Sequence, residues 1–144
     1  MKQVGFLGAT GVAALAGYFW FADADQSTPQ FAGDVASGAA LAEVILPATF
    51  SEQAQMGKLA YDAKCASCHG VNAVGQAGVA PPLVHIIYEP NHHGDESFQR
   101  AVGQGVQAHH WPFGNMPPVE GLTRADVAMI VAYVRDLQQA NGIY

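Results

Sequence analysis

The chain has 144 residues, of which half are apolar, 12 are acidic and 6 are basic. This length holds one domain of ordinary size and a short additional segment, and it is too short for a large enzyme core. The net charge of −6 argues against nucleic acid as a partner, because the phosphates would repel the chain. Two cysteines are too few for a disulfide scaffold or a four-thiolate zinc site.

The first 24 residues have the pattern of an export segment. Lys2 supplies a short positively charged N-terminal region, and residues 4–21 form an uncharged run that ends in an aromatic cluster. Ala22-Asp23-Ala24 offers the small-x-small pattern that signal peptidases accept, with cleavage before Asp25. The run is also long enough to be retained as a single membrane anchor, and aromatic residues are typical of a membrane interface. Both interpretations place residues 25–144 across the membrane, in the periplasm.

Residues 25–50 are predicted to be a flexible linker, because acidic residues are scattered there among small residues and Pro without a sustained helical period. A domain over residues 51–144 follows. Three helices are predicted in it, over residues 51–64, from Asp95 to Gly103 or Gly105, and from Thr123 onward. The segments between them are rich in Gly and Pro, and none has a strong strand pattern. The predicted fold class is all-α with long loops.

The chemistry is concentrated at Cys65-Ala66-Ser67-Cys68-His69. C-x-x-C followed at once by His is the attachment signature of c-type haem, in which both thiols add to vinyl groups and the His ligates the iron. One turn carries the two sulfurs to neighbouring edges of the macrocycle, and the next residue projects its imidazole beneath the metal. A redox C-x-x-C would follow a strand in a thioredoxin-like pattern, which is absent, and a zinc site would need a fourth ligand. The motif therefore predicts one covalently bound haem c.

A second iron ligand is predicted at Met116. The segment Gly114-Asn115-Met116-Pro117-Pro118 holds it on a stiff loop, and a rigid loop can present a thioether to iron at a fixed distance. Met1 and Met56 lie in the export segment and on the helix before the motif, and Met129 has ordinary helical spacing in the last helix. The alternative is that Met116 packs on the haem edge.

From about Ser51 to Leu137 the chain resembles the class I cytochromes c, which are small exported electron carriers. Gly57 and Tyr61 are similar to the family's small and aromatic residues that pack against its terminal helix, where Tyr133 stands. Further along, Pro81-Pro82-Leu83 resembles the family's Pro-x-Leu, and Met116 stands at the position of the distal ligand.

The resemblance implies three to four helices wrapped around one haem, with His/Met coordination and one-electron transfer rather than catalysis. It also implies that Pro81 offers its carbonyl to the Nδ1–H of His69, and that Trp111 can donate its indole N–H to a propionate. His69 and Met116 would ligate the iron. The cofactor-binding residues that it implies are Cys65, Cys68, His69, Met116, Pro81, Tyr61 and Trp111.

The charge pattern bears on the redox partners. After residue 24 there are five Lys and Arg side chains against eleven acids, too few to build a lysine ring around a haem edge. Partners with basic or largely apolar docking faces are therefore expected. A quinol-oxidising complex, a dehydrogenase or a terminal oxidase or reductase would fill that role.

Five further histidines lie between the two predicted iron ligands: His85, the pair His92-His93 and the pair His109-His110. One interpretation is that they are solvated, or bonded to propionates and backbone. A second is a copper or zinc site formed by the four paired imidazoles. A third is that His109 or His110, rather than Met116, completes the iron coordination. Two functions therefore stay open, an electron carrier and a haem-containing metal-binding or sensing module.

Overall fold

The computed structural model describes residues 36–144; the predicted export segment and residues 25–35 lie outside the described residues. Within this range four α-helices follow in chain order: α1 (Glu52–Lys64), α2 (Ala66–His69), α3 (Asp95–Gln104) and α4 (Arg124–Ala140). Short 3₁₀ turns at Val71–Ala73 and Ile86–Tyr88 lie between α2 and α3. The same residues contain two isolated antiparallel bridges and no strand, so the all-α prediction is confirmed. None of the helices described here has the length and apolar character that crossing a membrane requires.

The helix ends follow local sequence signals. The Ser51 hydroxyl caps α1 by accepting the N–H of Ala54 at 3.2 Å. At α4 the Thr123 hydroxyl accepts the N–H of Asp126 at 3.2 Å, and the Asp126 carboxylate accepts the N–H of Thr123 at 2.8 Å. This is a complete capping box, which satisfies two backbone donors at once. α3 ends at Gln104 with Gly105 as its C-cap, so all three helices predicted from the sequence are confirmed.

The core lies where α1 crosses α4. A Cβ on Gly57 would overlap the backbone carbonyl of Met129, so the two helices touch at the level of their backbones. Beside this contact Tyr61 and Tyr133 are fully buried, with ring centroids 5.3 Å apart and planes tilted by 55°. The close crossing that the small residue at position 57 predicts is therefore present. Apolar residues of α4 complete this side of the core, namely Val127, Ile130, Val131, Val134 and Leu137.

Residues 38–50 do not form the flexible linker that their composition predicts. The N–H of Gly38 donates to the carbonyl of Ala77 at 2.9 Å. Further along, the Asn141 side chain pairs with both backbone groups of Ile45, at 2.8 and 2.9 Å. The prediction was wrong here because these contacts join residues far apart in sequence, and composition carries no signal for them. The folded domain begins upstream of α1.

The variant Gly57→Ala is expected to lower the free energy of unfolding by about 2–3 kcal/mol, because the added methyl must separate α1 from the backbone of α4. Gly103→Ala in α3 is the matched control, since a Cβ there would meet nothing within 4 Å. It should leave stability unchanged or raise it by up to about 1 kcal/mol. Denaturant unfolding followed by circular dichroism measures both variants. Equal stability of the two would contradict the close helix crossing.

Candidate haem site

The motif of residues 65–69 consists of Cys65, which separates α1 from α2, and the single turn of α2 itself. Cys65 caps the end of α1 and the start of α2. The N–H groups of Cys68 and His69 both donate hydrogen bonds to the carbonyl of Cys65, at 3.1 and 2.9 Å. Cys65 is half-buried and Cys68 is exposed. The turn that the C-x-x-C-H spacing predicts is present.

The imidazole of His69 is oriented by a backbone carbonyl. Its Nδ1 lies 2.9 Å from the oxygen of Pro81, and because a carbonyl can only accept, Nδ1 carries the proton. The lone pair on Nε2 is then left for a metal. Burial lowers the pKa of His69, and the hydrogen bond to Pro81 opposes this shift only in part. The contact that the resemblance implies between these two residues is present in the structure.

Two polar side chains donate hydrogen bonds to backbone carbonyls of the motif and of the residue that follows it. The Tyr61 hydroxyl donates to the carbonyl of Gly70 at 2.9 Å, and burial raises the pKa of this phenol far above its ordinary value. Gln76 donates from its amide to the carbonyls of Ser67 and Ala66, at 2.9 and 3.3 Å. Gln76 was not predicted from the sequence, because nothing in its glycine-rich surroundings indicates this role. The Tyr61 side chain thus holds the backbone directly after the motif. That Tyr61 also contacts the cofactor stays a prediction.

The state of the thiols bears on the alternative of a redox dithiol. Burial, followed by the neighbouring Cys68, raises the pKa of the Cys65 thiol to about 11. Redox-active C-x-x-C motifs instead lower the pKa of their nucleophilic cysteine, because the thiolate is the reactive form. The local environment therefore disfavours a redox dithiol.

Met116 lies on a loop that is fixed on both sides. Its N–H and carbonyl pair with Val106 at 3.0 and 2.9 Å in an isolated antiparallel bridge. A Cβ on Gly105 would lie 2.5 Å from the Met116 carbonyl, and the φ of +77° at this position favours glycine. The Asn115 side-chain oxygen also accepts the N–H of Ala108 at 2.9 Å. These contacts hold the backbone on both sides of Met116, and ligation of iron by the thioether stays a prediction.

Trp111 carries a buried donor without an acceptor. Its indole N–H is shielded from solvent and makes no hydrogen bond to any described residue. Burial raises the pKa of Tyr88 and the nearby indole opposes this shift, but the two groups do not reach hydrogen-bonding geometry. Buried donors are nearly always paired, so this N–H fits an acceptor that residues 36–144 do not supply, such as a haem carboxylate.

Two polar residues of α4 fix the long loop that precedes α3, and neither role was predicted from the sequence. Gln138 is fully buried, and its amide donates to the carbonyls of Leu83 and Tyr88 at 2.8 and 3.0 Å. Arg135 donates to the carbonyls of Tyr88 and His93 at 2.6 and 2.7 Å. The available signal was that Gln138 interrupts the apolar face of α4, since a polar side chain there usually satisfies buried backbone groups.

The structure brings the two histidine pairs together. The ring centroids of His92 and His93 are 4.7 Å apart, and those of His109 and His110 are 4.2 Å apart. His110 also lies 5.4 Å from His92 and 5.3 Å from His93. Desolvation and then the neighbouring imidazoles lower the pKa of His110. These four residues are called the histidine cluster below.

Comparison with known families supplies the remaining observation. The sequence matches the family model for cytochrome c over residues 54–138, which is more than half of the chain. The protein belongs to the cytochrome c family. A comparison with curated proteins gave no match. Cytochromes c bind haem c covalently, and the turn at Cys65, the oriented imidazole of His69 and the unpaired indole N–H of Trp111 all fit that group. The predictions of the family and of haem c are confirmed.

Replacing Cys65 and Cys68 together by alanine is expected to abolish covalent attachment, because no thiol is left to form a thioether. Ser67→Ala is the matched control, since this hydroxyl makes only a 3.9 Å contact with the Cys68 sulfur. Haem staining after denaturing electrophoresis distinguishes covalent from dissociable haem. A stained band in the double variant would contradict the assignment of this motif.

Proposed function

We propose that the protein carries single electrons in the periplasm through a haem c whose iron is held by His69 and Met116. The observation that supports the proposal is that hydrogen bonds hold both His69 and the backbone of Met116. Pro81 orients the His69 imidazole at 2.9 Å, and the bridge to Val106 fixes the loop of Met116. A bound haem supplies a one-electron couple, and two axial protein ligands leave no open position for oxygen or substrate.

The contacts of the histidine cluster support Met116 over a histidine as the second iron ligand. His110 packs against His92, His93 and His109, and the Nδ1 of His109 lies 2.8 Å from the carbonyl of Gln107. The bridge at Met116 engages only backbone atoms. Among the described residues no hydrogen bond involves its sulfur, so the thioether is available to a metal.

The surroundings of His69 suit a carrier that changes oxidation state with little rearrangement. The imidazole is largely buried, and its tautomer is fixed by Pro81. An apolar pocket disfavours the extra charge of the ferric site and so raises the reduction potential. The cytochrome c family consists typically of electron carriers, and the sequence has no nucleophile–base motif that would indicate a second chemistry.

The charges on the surface support partners with basic or apolar docking faces. Three of the five cationic side chains in residues 36–144 pair with acids, as Lys58 with Asp62, Arg124 with Glu96 and Arg135 with Asp95. Val71 and Val79 are exposed apolar residues in the loop that follows the exposed thiol of Cys68. Redox encounters are small and transient, so an apolar rim of this kind suits them. Partners of this kind include a quinol-oxidising complex, a dehydrogenase and a terminal oxidase or reductase.

Met116→Ala is expected to abolish the weak long-wavelength charge-transfer band between Met sulfur and ferric iron, because the thioether is its source. Met56→Ala is the matched control, since Met56 is exposed on α1. Absorption spectra of the purified ferric protein measure both variants.

A band that persists in Met116→Ala would overturn this ligand assignment. Absence of the band in the unmutated low-spin protein would also overturn it. In that case, a spectrum that changes in His109→Ala or His110→Ala would identify a bis-His haem.

Export can be tested on the full-length chain. The mature protein is expected in the periplasmic fraction with Asp25 at its N-terminus, or in the membrane fraction with residues 1–24 retained. Cell fractionation and the mass of the haem-loaded protein distinguish the two. Recovery of the chain from the cytoplasm without covalent haem would contradict export.

A further inference from the structure

Three imidazoles from two separate loops converge at one point of the surface. His92 and His93 follow the turn Ile86–Tyr88, and His110 lies on the loop after α3. Each of the three offers a ring nitrogen, and these nitrogens all lie within 4.8 Å of one another. Nitrogen ligands about 2.0–2.1 Å from a tetrahedral ion stand about 3.4 Å apart, so closure requires only a small side-chain rotation. His92 and His110 are exposed and therefore able to rotate.

Hydrogen bonds to backbone groups hold the loop that carries His92 and His93 in place. The carbonyl of His93 accepts a hydrogen bond from Arg135 at 2.7 Å, and the carbonyl of Tyr88 accepts another at 2.6 Å. The N–H groups of His92 and His93 both donate to the carbonyl of Glu89, at 3.1 and 2.8 Å. The positions of both histidines are thus set by backbone contacts.

His93 has the hydrogen bond that is typical of a metal-binding histidine. Its Nδ1 lies 2.6 Å from the carbonyl oxygen of Ile87. Because this oxygen can only accept, the proton resides on Nδ1 and the lone pair on Nε2. Bonds of this kind fix the tautomer and orientation of metal ligands, and they raise the basicity of the ligating nitrogen. His93 is also half-buried, so it is the most restricted of the three.

We propose that His92, His93 and His110 bind one divalent transition-metal ion of the Zn²⁺ or Cu²⁺ class, with water in the fourth position. Imidazole nitrogen suits these ions, whereas Ca²⁺ and Mg²⁺ require oxygen ligands. Within residues 36–144 the group contains three imidazoles and neither carboxylate nor thiolate. His109 stays outside this group, since its ring stacks 6.1 Å from that of His93 and its Nδ1 lies 2.8 Å from a backbone carbonyl.

Such an ion would join the loop of His92 and His93 to the loop that carries Met116. His110 and Met116 belong to one segment, which is clamped by the bridge between Val106 and Met116. Metal binding would restrict the motion of this segment and so stabilise the distal side of the haem. This consequence rests on the proposed His69/Met116 ligation, whereas metal binding itself does not.

The test uses the purified haem-loaded protein after treatment with a chelator. Calorimetric titration with zinc chloride is expected to give one ion per chain, and substoichiometric copper chloride is expected to give an electron paramagnetic resonance signal with nitrogen hyperfine structure. His92→Ala and His110→Ala should each weaken zinc binding by at least about 100-fold, because each removes a direct ligand. His109→Ala is the matched control and should retain zinc affinity within about fivefold. The haem spectrum without zinc verifies that each variant is folded.

The outcomes separate this proposal from the proposed function. Absence of saturable binding at micromolar zinc would overturn the site, as would equal zinc affinity in His110→Ala and the unmutated protein. An effect of His109→Ala as large as that of His110→Ala would overturn the assignment of these three residues. Met116→Ala should still bind zinc, so loss of the charge-transfer band with zinc binding retained reports only on the iron ligand.

Discussion

The close crossing of α1 and α4 is the constraint on which the haem site depends. Gly57 lets the two backbones touch, and beside this contact the rings of Tyr61 and Tyr133 pack against each other at a tilt in the core. The hydroxyl groups of both tyrosines then form hydrogen bonds with residues that follow the motif. Tyr61 donates to the carbonyl of Gly70 at 2.9 Å, and Tyr133 donates to the side chain of Asn72 at 3.0 Å. A packing contact between two helices thus positions the side chains that hold the segment after the C-x-x-C-H motif.

α4 also organises the other side of the site through polar contacts. Arg135 is largely buried, which costs free energy unless its charge is paired and its donors are used. Its guanidinium forms an ion pair with Asp95 and donates hydrogen bonds to the carbonyls of Tyr88 and His93. The same group lies 5.1 Å from the ring centre of Phe98. One helix therefore supports the motif through α1 and the loop of the histidine cluster through its own side chains.

The two proposals meet on one segment of the chain. Residues 105–117 carry both the proposed iron ligand Met116 and the proposed zinc or copper ligand His110, and the bridge between Val106 and Met116 joins the two ends of this segment. Any contact that restricts His110 therefore acts on the loop that presents the thioether. An electron carrier needs a distal ligand that stays in place through many cycles, and anchoring its loop at two points serves that need.

The sequence by itself determined α1, α3 and α4, the caps at Ser51 and Thr123 and the motif of residues 65–69, because these features depend on residues that are close together in the chain. Tertiary structure decided the rest. It placed residues 38–50 on the domain, assigned Gln76 and Gln138 to backbone carbonyls, and brought two distant histidine pairs to one point. In each case the partners are separated by a loop or by a whole helix. Local pattern did not specify the partners in these contacts, since they meet only when the loops pack against the helices.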